Sequence, residues 1–219
     1  MRVAMLLFPD LTQLDLTGPH EVLARMPGAR IELVAANRAP VVSETKLAIV
    51  PTATFDDIAE AELLFVPGGR GQIAATRDEA TLAWLRRVAA KARFVTSACT
   101  GALLLGAAGL LRGYRATTHW AYLDLLPLVG AEPVDDRVVI DRNRITAAGV
   151  TAGIDGALAI AAEVCGSDLA ARIALNLEYD PKPAFPGHPR SASPELVAET
   201  RELLHARHAE RAALLRRSD

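Results

Sequence analysis

A chain of 219 residues, 51% apolar and 23% charged, is long enough for one large domain with its own core. Its formal net charge of -2 gives no electrostatic reason to expect nucleic acid or an anionic membrane as a partner. The two cysteines make no disulfide framework, no Cys/His spacing suits a metal, and no charge-free apolar run reaches the roughly 18 residues of a membrane span.

Val3–Phe8 is a continuous apolar run, the pattern of a strand buried on both faces rather than of a secretory leader. Leu14–Met26 reads as a helix with Pro19 near its first turn, and Arg30–Ala36 as the next strand. Residues 41–50 suggest a looser strand or hairpin. Leu63–Val66 is a short strand stopped by Pro67-Gly68-Gly69; Asp78–Ala92 has helical spacing, and Phe94–Ser97 is another buried strand. Thr100–Ala108 and His119–Val129 read as helices, the second ended by Gly130. Residues 134–145 form a predicted hairpin turned at Asp141-Arg142-Asn143, and a helix follows from about Thr151 to Val164. Ser167 or Asp168 is expected to cap a further helix reaching Tyr179. Five prolines between 180 and 194 make a loop, and Pro194 opens a last helix, amphipathic and charged to the end. Strand–helix alternation over the whole length predicts an α/β sandwich, a mostly parallel sheet covered by helices on both faces, as one domain over residues 1–219.

Phe94-Val-Thr-Ser-Ala-Cys99-Thr-Gly-Ala-Leu carries the sharpest chemical signal. A buried strand runs straight into a helix, small residues surround the joint, and a thiol sits on it, as in a nucleophile elbow. The turn would project Cys99 at the carboxyl edge of the sheet, and the helix N-terminus would favour its thiolate. A small buried hydrophobe is the competing reading of Cys99; Cys165, among alanines and valines, is read as packing only. Val66-Pro67-Gly68-Gly69-Arg70 ends the strand expected beside Cys99, so its N–H groups could meet negative charge on a substrate, or it could be a plain tight turn. Asp15 reads as a first-turn or capping charge that could also reach the thiol. His119 could serve as a base for Cys99, or could simply follow a Thr118 helix cap. His20, His188, His205 and His208 have no convincing context.

Taken together, Asp15-Leu-Thr-Gly-Pro, Pro67-Gly-Gly, Ala98-Cys-Thr-Gly-Ala, Ala116-Thr-Thr-His-Trp and Gly149-Val-Thr-Ala-Gly-Ile-Asp155 resemble the PfpI-like, class I glutamine-amidotransferase-like superfamily, and within it the isocyanide hydratases. The loop Glu178-Tyr-Asp-Pro-Lys-Pro183 is similar to theirs as well. Peptidase-like members carry His where this chain has Thr100, and many members use a Glu where this chain has Asp15. The resemblance implies a flavodoxin-like three-layer sandwich, a homodimer, and hydration of a small-molecule isocyanide to a formamide through a cysteine thioimidate; the cytoplasm is the compartment expected by default from the composition. It implies no cofactor and no metal. Cys99, Asp15 and Thr100 would be catalytic; Gly69, Arg70, His119, Gly149 and Ile154 would line or support the pocket. Regulators of the superfamily add a helix-turn-helix region, which is not expected here. The alternatives are a glyoxalase-like or amidase-like enzyme with His119 as base, a ligand or redox sensor using Cys99, and an α/β-hydrolase using Cys99, a later Asp and His188.

Overall fold

The computed structural model describes residues 1–216. Residues 217–219, which the sequence pattern carries into the last helix, lie outside the described residues. The chain runs β1 (Arg2–Leu6), α1 (Gln13–Leu23), β2 (Arg30–Ala35), β3 (Val41–Val42), β4 (Ala48–Ile49), β5 (Ala53–Thr54), β6 (Leu63–Val66), α2 (Gln72–Arg77), α3 (Glu79–Ala89), β7 (Phe94–Ala98), α4 (Gly101–Ala107) and β8 (Arg115–Ala116). A 3₁₀ stretch (Trp120–Val129) follows, then β9 (Glu132–Pro133), β10 (Val138–Asp141), β11 (Arg144–Ala147), α5 (Ala152–Cys165), α6 (Ser167–Asn176) and α7 (Pro194–Leu215).

The main sheet has seven strands in the order β10-β11-β7-β6-β1-β2-β5, parallel throughout except for the β10–β11 hairpin. Its central strands are buried on both faces, because helices cover both: β6 and β7 are buried at every residue, Thr96 and Ser97 of β7 included. A single apolar cluster extends from Val3 to Leu215. From β1 the chain first builds outward to β2 and β5, then returns to place β6 on the other side of β1. That reversal lies between β1 and β6, and the crevice at such a switch point opens at the carboxyl ends of the strands. The loops after β1, β6, β7 and β11 all reach this edge.

Several local expectations change. Pro19 lies inside α1 rather than in its first turn, so it lacks the N–H that would bond the Asp15 carbonyl. Helix α2 was not foreseen; it is one short turn-and-a-half after the glycines. The helix expected over His119–Val129 is a 3₁₀ stretch over Trp120–Val129, and Pro127 inside it removes an N–H that an α-helix would use. Neither Ser167 nor Asp168 caps α6: Gly166, at φ 91°, stands at the N-cap without a side-chain bond. Helix α7 is not amphipathic along its length, since its buried residues are Arg211, Ala212 and Leu215, all near its end. Among the described residues no helix is long and apolar enough to cross a membrane.

Candidate active site

The site is built at the joint between β7 and α4. Cys99 is a non-glycine residue at φ 53°, a left-handed conformation that must be held from outside. Its N–H donates to the carbonyls of Ala147 (3.1 Å) and Ala148 (2.7 Å), and its carbonyl accepts from the Thr118 hydroxyl at 2.7 Å. Thr118 is therefore a clamp on the elbow and not the cap of the next helix. The turn also needs Gly101: a Cβ there would lie 2.1 Å from the Val66 carbonyl oxygen on β6. Cys99 is buried, with 5% of its surface exposed.

Asp15, in the first turn of α1, is completely buried. Its Oδ2 accepts from the Gly68 N–H at 2.9 Å, while Oδ1 has no hydrogen-bond partner among the protein groups. The carboxyl also interacts with the Cys99 thiol. Burial pushes it from the ordinary 3.8 up to about 7, against the pull of the Gly68 N–H and the thiol. It is thus no solvated cap but a buried acid that keeps its proton near neutrality. The thiol is pushed up as well, by burial first and then by the Asp15 charge, with the Thr100 backbone N–H and the Arg211 guanidinium pulling the other way. The expectation that the helix end alone would make Cys99 a thiolate fails for this reason: one backbone dipole does not outweigh desolvation beside a carboxylate. Thiol and carboxyl form a coupled pair of acids.

The loop Pro67-Gly68-Gly69 holds this pair in place instead of offering free donors. The Gly68 N–H is spent on Asp15, and the Gly69 N–H donates to the Thr100 hydroxyl at 3.0 Å. The same hydroxyl contacts the Gly69 carbonyl at 3.3 Å, so Thr100 presents its backbone N–H to the sulfur while its side chain secures the loop. Gly68 has no room for a Cβ, which would sit 2.5 Å from the Thr100 nitrogen and 2.9 Å from Asp15 Oδ2. Arg70 is exposed; the cation acting on the thiol is Arg211, from α7.

His119 is the N-cap of the 3₁₀ stretch, its Nδ1 accepting from the Ala121 N–H at 3.3 Å. Burial, and then Arg211, lower it to about 4, so it is neutral at physiological pH and a weak base. Gly149 lies against it, a Cβ there being 3.5 Å from the His119 ring. Ile154 packs its side chain on Gly18 of α1, and the preceding Gly153 abuts Ala98, the neighbour of Cys99. Asp155 next to it is tied down by Arg137 and by the Tyr179 hydroxyl, both at 2.8 Å, which fixes the start of α5. Cys165 is exposed at the end of α5, contrary to the packing role expected of it. Among the described residues no three His, Cys, Asp or Glu side chains are grouped to hold a metal. A cleft of about 680 Å³, lined by Met1, Arg2, Arg30 and Glu62 among others, lies at the opposite edge of the sheet and includes none of these residues.

Sequence reasoning missed three buried members of this neighbourhood: Arg211, Gln72 and Tyr122. Arg211 donates from Nε to Gln72 Oε1 at 2.8 Å and from Nη2 to the Gly69 carbonyl at 3.1 Å, and its guanidinium lies 4.4 Å over the Tyr122 ring. Nothing in the local pattern around Arg211 marks it, since it lies on a helix rich in arginine.

Fold and site together define an α/β protein of the cysteine-elbow kind, with a proton-retaining carboxyl at the thiol. The chain belongs to the DJ-1/PfpI family, whose pattern matches residues 1–163. It is 52% identical over 203 residues to an isonitrile hydratase of Pseudomonas putida, covering 92% of this chain and 89% of that protein. A THiJ/PfpI family protein from Pseudomonas syringae has the same structure with a TM-score of 0.95 and 45% identity, covering 98% of this chain and 90% of that one. The transcriptional regulator CdhR of Pseudomonas aeruginosa is 30% identical over 148 residues, which is 66% of this chain but 43% of the regulator.

Proposed function

We propose that the chain is an isocyanide hydratase, adding water to R–N≡C to give an N-substituted formamide. The reading rests on the buried Asp15 carboxyl, raised to about 7 beside the Cys99 thiol, in a chain 52% identical to a hydratase of this substrate class. The terminal isocyanide carbon is a soft electrophile suited to sulfur. Cys99 sulfur adds to that carbon, and the thiol proton, relayed through Asp15, ends on the same carbon, giving the thioimidate R–N=CH–S–Cys99. Asp15 then takes a proton from water as the oxygen adds to the carbon, and passes it to nitrogen. The resulting R–NH–CH(OH)–S–Cys99 collapses: the C–S bond breaks, its electron pair returns to sulfur, and the hydroxyl proton returns to the sulfur–carboxyl pair. One water is consumed and nothing is oxidised or reduced.

Thr100 steadies the sulfur with its N–H, and His119, neutral, can donate from Nε2 to the substrate nitrogen. Gly69, Gly149 and Ile154 shape the pocket, while Arg70, being exposed, could meet only the outer part of a substrate. We assign the whole chain to one folding unit, in keeping with the continuous core. It works as a two-fold homodimer, for which Leu175 and Leu203, 83% and 81% exposed, supply uncovered apolar surface. The cytoplasm, which keeps thiols reduced, is its compartment.

The test is direct. The protein is incubated with a simple aryl isocyanide and the formamide is sought by chromatography; Cys99→Ser is expected to give none. Absence of formamide from the intact folded protein would sink the assignment.

A further inference from the structure

We propose that Arg211, carried by α7, is the electrostatic partner of the Cys99 thiolate and a positioning residue for the hydration. Its side chain is 2% exposed, and its partners are all neutral: Gln72, the Gly69 carbonyl and the face of Tyr122. Among the described residues no carboxylate forms an ion pair with it, and its buried Nη1 has no hydrogen-bond partner. A guanidinium taken out of water with a donor unspent and no anion paired to it is costly. Such a group persists where an anion forms part of the time, and the Cys99 sulfur, one residue before the Thr100 that shares the Gly69 carbonyl with Arg211, is an anion that forms in the reaction.

The connections between the two are short. Arg211 Nη2 and the Thr100 hydroxyl converge on one atom, the Gly69 carbonyl oxygen, and Thr100 directly follows Cys99. The loop that Arg211 grips also presents the Gly68 N–H to Asp15. Other charged or titratable groups surround the pair. Asp15 on α1 opposes the thiolate, and Glu44 acts on Asp15 in turn. Tyr122 stands on the 3₁₀ stretch and His119 at its N-cap, and Arg207 and Glu210 on α7 flank Arg211. Of these, Arg211 is the cation that acts on Cys99. In the reaction sulfur is charged twice, as it attacks and as it leaves when the C–S electrons return to it. A fixed positive charge lowers both barriers without moving a proton. Arg211 also lies beyond residues 1–163, so the portion of the chain matched by the family pattern does not contain this cation.

The inference rests on Cys99 as the nucleophile of the hydration, but alkylation reads the thiol with no isocyanide present. The rate of iodoacetamide labelling at Cys99, located by peptide mass, is followed against pH in the wild-type protein and in Arg211→Met, Arg211→Gln and Arg211→Lys. Loss of the charge is expected to raise the labelling midpoint by about one pH unit and to slow labelling near neutrality about tenfold in the Met and Gln variants, with Lys close to wild type. Arg211→Gln retains a donor for the Gly69 carbonyl, so it decides the matter if Arg211→Met fails to fold. A folded Gln variant with the wild-type midpoint overturns the proposal, as does an equal shift in Gln and Lys, which would make Arg211 a purely structural strut. Failure to form formamide with a normal Arg211-dependent midpoint would instead count against the hydratase reading alone.

Discussion

In the proposed reaction Asp15 joins two jobs that chemistry usually divides, donor of a proton and acceptor of the next, and its burial suits one carboxyl to both near neutral pH. Asp15→Asn keeps the shape and an acceptor for the Gly68 N–H but cannot relay a proton, so turnover is expected to fall by about 10²–10⁴. In the proposed reaction the competent state holds one proton between carboxyl and thiol, so kcat/KM is expected to rise as pH climbs through about 7 and to fall again when the second proton leaves. A pH profile that declines through that first region would refute this. The same residue governs stability in the opposite sense. Folded Asp15 retains its proton to about pH 7, whereas the unfolded chain loses it near 3.8. Between those values the folded state binds more protons, so its stability drops as pH rises from about 4 to about 7 and then levels off. Asp15→Asn lacks that penalty; thermal melts are expected to coincide with wild type near pH 4 and to lie above it past pH 7.

At the level of elements, the candidate site is a meeting of four loop ends, and the loop after β6 is pressed closely against the elbow. Gly68→Ala would drive a methyl group against the Thr100 nitrogen and the Asp15 carboxyl. Turnover is expected to fall at least about tenfold, with a destabilisation of about 1–3 kcal/mol from overpacking, read by steady-state kinetics beside a denaturant melt. Unchanged turnover would mean that the loop does not set the position of the acid. Much of this arrangement was legible beforehand. Strands such as Leu63–Val66 announce themselves by unbroken apolar runs, and a cysteine between a buried strand and an Ala/Leu helix marks the elbow. What the loop glycines do was not legible, because their N–H groups look equally free in a sequence whether they face a substrate or a neighbouring carboxylate. Helix α2 escaped because six residues carry too little periodicity to stand out from a loop. Arg211 escaped for a different reason: its importance comes from a contact with Gly69, 142 residues away in the chain, which no local pattern encodes.

The whole molecule is expected to be a closed dimer, and light scattering at micromolar concentration checks it; a monomer mass would remove that part of the proposal. Its interior also has an order of completion. Cys99, the acid and the glycine loop belong to the first half of the chain, the groups that clamp the elbow follow at Thr118, Ala147 and Ala148, and the cation that grips the loop arrives last, on α7. On a ribosome adding ~5–20 residues per second, the 142 residues between Gly69 and Arg211 take on the order of ten seconds. Once Thr118, Ala147 and Ala148 have been added, a newborn chain has the groups that hold the Cys99 elbow beside Asp15, yet the Gly69 carbonyl still lacks the guanidinium that later holds it. The docking of α7 is thus a maturation step as well as a packing event, and a nascent chain is most open to chaperones, and to stray electrophiles at its thiol, before that step.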